Sequence, residues 1–111
     1  MWDLAKVLLT IVSVVLLLLV LGLGLLIPFD RVDPNFHGML AFLAGVLAVG
    51  IHIRIGSALD FLALILLIAA VGIGMTLSGA SETSALHLWV AVFAVGISVF
   101  AQMRNLFGAA R

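Results

Sequence analysis

Cysteine is absent from the 111-residue chain, which excludes disulfides, thiolate metal sites and iron–sulfur clusters. Charged residues are also scarce, at 9% of the chain. A soluble domain carries about 25% charged residues, so this chain cannot form a water-soluble surface. The formal net charge is zero, which leaves no basic face for nucleic acid. Because 66% of the residues are hydrophobic, we expect the surroundings of the folded chain to be lipid.

Four hydrophobic runs are each long enough to cross a bilayer. A hydrocarbon core of about 30 Å needs about 20 helical residues. The four runs are Val7–Ile27, Gly38–Ile55, Ala58–Leu77 and Ala85–Met103. Their length and their lack of polar–apolar alternation predict helices rather than strands. The sequence therefore predicts an all-α protein, a transmembrane four-helix bundle that forms one domain over residues 1–111.

The placement of lysine and arginine predicts the orientation of this bundle. Membrane proteins carry an excess of these cations on the cytoplasmic side. Only Arg31 lies on one side of the predicted spans. The cations on the other side are Lys6, Arg54, Arg104 and Arg111. We therefore expect a multi-pass protein of the cell membrane with both termini in the cytoplasm.

The sequence repeats itself at an offset of 50 residues without a gap. The most informative matches are Gly22 with Gly72, Gly24 with Gly74, His37 with His87, and Arg54 with Arg104. Leucine matches are expected in such a composition, whereas paired glycines, histidines and arginines are not. We interpret residues 1–56 and 57–111 as a duplicated helical hairpin. The two copies should be related by a pseudo-two-fold axis along the membrane normal.

This duplication places His37 and His87 at one depth, because each begins an equivalent helix. The pseudo-axis lets the two imidazoles face each other across the bundle. Polar side chains inside a membrane are costly and usually functional. Two histidines at equivalent positions are therefore the leading candidates for a site.

Small residues are expected around both imidazoles. Positions i+4 and i+7 share the helix face of residue i, and glycines of the first and third helices lie at about the same depth. These small residues are Ala41, Ala44, Ala91, Ala94, Gly22, Gly24, Gly72 and Gly74. Space between two imidazoles can hold a flat macrocycle, so we predict haem b with both histidines as axial ligands. Small residues also let membrane helices pack closely without a cofactor, and this alternative stays open.

Two other residues are weaker candidates for the same chemistry. His52 lies 15 residues after His37, a rise of about 22 Å, and could serve a second haem. Its repeat partner is Gln102, a poor haem ligand, so we favour an interfacial histidine beside Arg54. Arg31 could pair with a haem propionate or with the neighbouring loop carboxylates.

The stretch GMTLSGASETSALHLWVAVF resembles the haem A synthase family, membrane enzymes built from duplicated four-helix bundles. The likeness consists of a glycine-rich helix end, a Thr/Ser-Gly loop and a helix that opens His-Leu-x-x-Ala. The chain as a whole resembles one four-helix half of such an enzyme. The resemblance implies that His37 and His87 are axial haem ligands.

The chain departs from this family around the first histidine. The family carries a glutamate shortly before that residue and an arginine just after it. Here those places hold Pro34 or Asp33, and Gly38. The reactive glutamate of the family is therefore missing, and the resemblance implies haem binding more than haem oxidation.

The sequence leaves three functions open. The first is a b-type haem protein in electron transfer or in haem A synthase-like haem processing. The second is a cofactor-free accessory subunit of a respiratory membrane complex, and a homodimer also fits so small a bundle. The third is a small transporter, although Val7–Ile27 holds no acidic residue and only Asp60 comes near the membrane. We expect no cluster of serine, histidine and acid at one membrane depth, so hydrolysis is not predicted.

Overall fold

A computed structural model describes residues 4–27, 33–76 and 85–109 of the chain. Four helices make up this part: α1 (Leu4–Leu26), α2 (Pro34–Ile55), α3 (Ala58–Thr76) and α4 (Ala85–Ala109). Each of the four is long and apolar enough to cross a membrane. The predicted all-α, multi-pass bundle is therefore confirmed.

The sequence sets the two ends of α2 through local capping. Asp33 accepts a hydrogen bond from the backbone N–H of Asn35 at 3.0 Å, and Pro34 follows in the first turn. At the other end Gly56 has φ 71°, a left-handed conformation that favours glycine. Its N–H donates to the carbonyl of His52 at 2.9 Å. The chain then reverses into α3 at once, which brings the last turn of α2 against the first turn of α3.

Each helix packs mainly against two neighbours, in the order α1–α2–α3–α4 with α4 returning to α1. We call the end that holds the start of α1, the α2–α3 turn and the end of α4 the terminal end. The opposite end, where α2 and α4 begin, is called the loop end. His37 and His87 lie at the loop end, whereas His52 lies at the terminal end.

Small side chains fill the centre of the bundle, and large apolar side chains point away from it. Ala44, Ala48 and Ala94 are fully buried, whereas Phe42 and Phe93 are more than half exposed. Membrane helices pack in this way because small residues allow close approach and lipid solvates the large ones. The exposed apolar surface fits contact with a lipid bilayer.

The buried positions recur at the repeat offset. Every residue from 41 to 50 is buried, half-buried or exposed in the same way as its counterpart from 91 to 100. The matched buried pairs in α1 and α3 are Thr10 with Asp60, Ser13 with Ala63, Leu17 with Leu67, and Val20 with Ala70. The buried faces of the two hairpins therefore match along most of their length.

Candidate functional site

His37 and His87 line one cavity of about 600 Å³ at the loop end. All four helices contribute to its wall, which is mostly apolar. The imidazoles are close enough for a charge on one to act on the other. The structure therefore brings the two candidate ligands to the same cavity.

Each of these imidazoles lies directly against a glycine of the neighbouring helix. A Cβ at Gly24 would lie 2.8 Å from Cε1 of His37, and a Cβ at Gly74 would lie 3.0 Å from Cε1 of His87. Real Cβ atoms essentially never lie closer than 3.0 Å to such an atom, and a contact of 3.0 Å is tighter than nine in ten real ones. The absence of a side chain at Gly24 and Gly74 is therefore what lets the imidazoles take these positions.

The residues beside the imidazoles are also equivalent in the two repeats, because Val20 and its counterpart Ala70 both line the cavity. Nδ1 of His37 is buried and has no hydrogen-bond partner in the described parts of the chain. An unpaired buried nitrogen is costly, so the described parts of the chain do not by themselves satisfy this imidazole.

The small residues expected around the imidazoles divide into three groups. The first group lines the cavity and consists of Gly24, Gly74, Ala41, Ala91 and Ala94. Ala44 is fully buried in the packed core and is not part of the cavity wall. Gly22 and Gly72 are exposed on the outer surface of the bundle. Arg31 lies outside the described residues.

The exposure of Gly22 corrects the expectation that all four glycines widen the site. Gly22 and Gly24 differ by two residues, which is about 200° around a helix, so both cannot face the cavity. The same holds for Gly72 and Gly74. The helix face of Gly22 and Gly72 was therefore predicted wrongly.

Alanine substitutions at these glycines should have opposite effects on stability. Gly22→Ala adds a Cβ with nothing within 4 Å and a better helix former, so we expect stabilisation of up to about 1 kcal/mol. Gly24→Ala must displace the His37 imidazole, so we expect a loss of about 1 kcal/mol. Unfolding free energies in bicelles measure the difference between the two variants. Equal stabilities would contradict the described contact between Gly24 and His37.

His52 is 2% exposed and is not the interfacial residue expected from the sequence. Its Nδ1 lies 2.6 Å from Oδ1 of Asp60, and its Nε2 lies 2.7 Å from Oγ of Ser98. Both ring nitrogens are therefore engaged, which leaves neither for a second haem. Among the residues described, no group of three or more His, Cys, Asp or Glu side chains could hold a metal ion.

Hydrogen bonds extend this network in both directions from His52. Ser57 donates its hydroxyl to Oδ2 of Asp60, and Arg104 donates to that hydroxyl oxygen at 3.0 Å. Asn105 donates to Oδ1 of Asp60 at 3.2 Å. On the other side, Gln102 donates to Oγ of Ser98 at 3.1 Å. We call this set, from Arg104 and Ser57 to Ser98 and Gln102, the terminal polar network.

Asp60, His52 and Ser98 are joined in the hydrogen-bond order of a catalytic triad, contrary to the expectation that no such cluster exists. Ser98 is fully buried, however, and its oxygen accepts a hydrogen bond from Gln102. None of the three lines the cavity at the loop end. A buried, bonded hydroxyl cannot meet a substrate, so this arrangement is not assigned to hydrolysis.

A sequence signal for the terminal polar network exists in α4. Ser98, Gln102 and Asn105 follow the spacing i, i+4, i+7, which places them on one helix face. Asp60 and His52 flank the short turn at Gly56, which places the two residues close together. Polar residues at helical spacing inside a predicted span indicate a buried polar network, and this signal was not used in the prediction from the sequence.

Comparison with protein-family models, with curated proteins and with solved structures finds no match. The fold and the burial pattern define the class: a multi-pass membrane protein with four transmembrane helices. The bundle contains a histidine-lined cavity at the loop end and a buried polar network at the terminal end.

Proposed function

We propose that the protein binds haem b in the loop-end cavity, with His37 and His87 as axial ligands, and serves in electron transfer. The observation that carries this proposal is that both histidines line one cavity. They do so from equivalent repeat positions, each against a glycine. Paired histidines in a bundle core are a recurrent way to hold haem.

The residues around the cavity fit this group in size and polarity. Ligand sites in proteins range over about 300–1,000 Å³, and the cavity of about 600 Å³ falls within that range. Its wall is mostly apolar, as a porphyrin face requires. The unpaired Nδ1 of His37 shows that this imidazole is not fully satisfied by the protein.

When bound, haem supplies one-electron redox chemistry, while the protein sets its orientation and surroundings. His37 and His87 would hold the iron from α2 and α4, and Gly24 and Gly74 would leave room for both rings. Ligation by two histidines leaves no open position on the iron. This favours an electron carrier over haem processing, as does the missing glutamate near His37.

The cations support a proposed orientation with the terminal end in the cytoplasm of a cell membrane. Lys6, Arg54 and Arg104 all lie at this end in the described structure. Because cytoplasmic loops are enriched in such residues, the loop-end cavity would open toward the outer side. Labelling of single-cysteine variants from either side of intact cells tests this orientation, and the absence of native cysteine makes the labelling specific.

A haem titration of the purified full-length protein tests the proposed function. We expect one haem per chain, a Kd below about 1 µM, and a low-spin spectrum with sharp α and β bands on reduction. A protein that stays colourless after haem addition would remove the proposal. That result would favour the accessory subunit, which is tested separately by co-purification in mild detergent.

A further inference from the structure

We infer that His52 and Asp60 form an intramembrane proton-binding site that exchanges protons with the terminal side of the bundle. This inference is independent of haem, since neither residue lines the loop-end cavity. Chains of acidic residues and histidines inside membranes commonly act as proton relays. The argument rests on the continuity of the network, on its charge, and on the repeat.

A continuous line of hydrogen bonds leads from the protein surface to the buried pair. Arg104 is exposed and bonds to the half-buried hydroxyl of Ser57, which bonds to Oδ2 of Asp60. Oδ1 of Asp60 then meets Nδ1 of His52 at 2.6 Å, and Nε2 meets Ser98 at 2.7 Å. Every atom between Ser57 and Ser98 in this line can accept or pass a proton. Arg104 itself does not give up a proton, so the path into the core begins at the half-buried hydroxyl of Ser57.

The charge of the pair changes by one unit with this proton. Both side chains have 0% exposure, so a net charge on the pair is not stabilised by bulk water. When the pair holds one proton more than a neutral imidazole and an ionised carboxylate, its net charge is zero. Without it, the pair carries one negative charge, which hydrogen bonds from Ser57 and Asn105 help to stabilise.

The groups that face the pair from the packed elements are mostly uncharged. On α4, Ser98 and Asn105 bond to the pair, and Gln102 bonds to Ser98. The buried polar residues of α1 are Thr10 and Ser13. The cations at this end are Lys6, Arg54 and Arg104, all of them exposed. Asp60 is the only carboxylate at the terminal end among the residues described.

The repeat shows that packing alone does not require a titratable pair here. The position of His52 is occupied by Gln102 in the second copy, and that of Asp60 by Thr10 in the first. These counterparts are buried to the same degree and cannot change charge. Residues that cannot change charge are therefore sufficient for packing at the equivalent position of this fold. A histidine and a carboxylate occur together at only one of the two equivalent positions. This asymmetry is what a specific site requires.

The network ends one helical turn below the loop-end cavity. Ala94 lines that cavity and Ser98 follows four residues later, a rise of about 6 Å. Leu17 and Leu67 line the cavity and belong with Ala44 to one apolar core. Because these residues offer no hydrogen-bonding side chain, protons should enter and leave through the terminal end only.

Infrared titration of the full-length protein without haem, in lipid nanodiscs, tests the inference. Because three hydrogen bonds stabilise the Asp60 carboxylate, we expect the exchanged proton to reside on the imidazole, and the carboxylate bands of Asp60 should shift in a single one-proton step as the pH changes. Ring ¹⁵N shifts of His52 should follow the same step. Asp60→Asn should abolish the shift of the carboxylate bands, whereas the matched control Asp33→Asn, at an exposed helix cap, should keep it.

A second variant distinguishes the loss of the proton site from misfolding of the bundle. His52→Gln introduces the residue that the other copy carries at the same buried position, so the bundle should still form. We expect the step in the carboxylate bands to be lost in this variant, because the imidazole that takes up the proton is gone. A wild-type protein with no such step would overturn the inference. So would a step unaffected by both Asp60→Asn and His52→Gln. Neither outcome depends on whether haem binds.

Discussion

His37→Ala and His87→Ala are each expected to weaken haem binding by at least about 100-fold. Substitution of groups that only orient a metal ligand already costs about 10–100-fold in affinity, and loss of a ligand itself should cost more. Haem titration of each variant measures the change. The two losses should be similar, because the two histidines occupy equivalent positions against equivalent glycines.

His52→Gln is the matched control for these two variants. It also replaces a histidine, but His52 is bonded to Asp60 and Ser98 away from the cavity. Haem affinity should therefore stay within about threefold of wild type, or about 0.6 kcal/mol. If His52→Gln loses haem as strongly as His37→Ala, the loss reflects the stability of the bundle and not ligation.

Asp60→Ala is expected to lower the free energy of unfolding by about 3 kcal/mol, the largest loss from any single truncation at the terminal end. The carboxylate accepts hydrogen bonds from His52, Ser57 and Asn105, and its removal leaves these donors buried without an acceptor. Unfolding in bicelles measures the loss. Thr76→Ala is the control, since this exposed hydroxyl bonds only to its own helix. Its effect should stay within about 0.5 kcal/mol. Equal losses in the two variants would contradict the description of the network.

The repeat offers a rescue experiment for the same pair. His52→Gln with Asp60→Thr introduces the residues found at the equivalent positions, Gln102 and Thr10. The double variant should be more stable than the sum of the two single changes predicts, by about 1 kcal/mol. Strict additivity would show that His52 and Asp60 do not act as a unit.

Run length and the lack of polar–apolar alternation were enough to predict the fold. The four predicted spans correspond to α1–α4. The repeat was the most informative feature for the site. It placed His37 and His87 at one depth, and both line the same cavity in the structure.

The inward face of each helix could not be predicted from the sequence. Helical rise gives the depth of a residue, but nearly every residue in these spans is apolar, so no amphipathic pattern marks the buried side. Gly22 and Gly24 were therefore treated alike, although only Gly24 faces a histidine. For the same reason His52 was placed at the interface, and its bonds to Ser98 on α4 were not foreseen.

Carbon monoxide binding to the reduced, haem-loaded protein tests the central claim most directly. Carbon monoxide needs an open position on the iron, and ligation by both His37 and His87 leaves none. We predict that the reduced spectrum of the wild-type protein stays unchanged under carbon monoxide, whereas any haem retained by His37→Ala or His87→Ala responds to it. A wild-type spectrum that shifts as readily as those of the variants would show that the two imidazoles do not hold one iron between them.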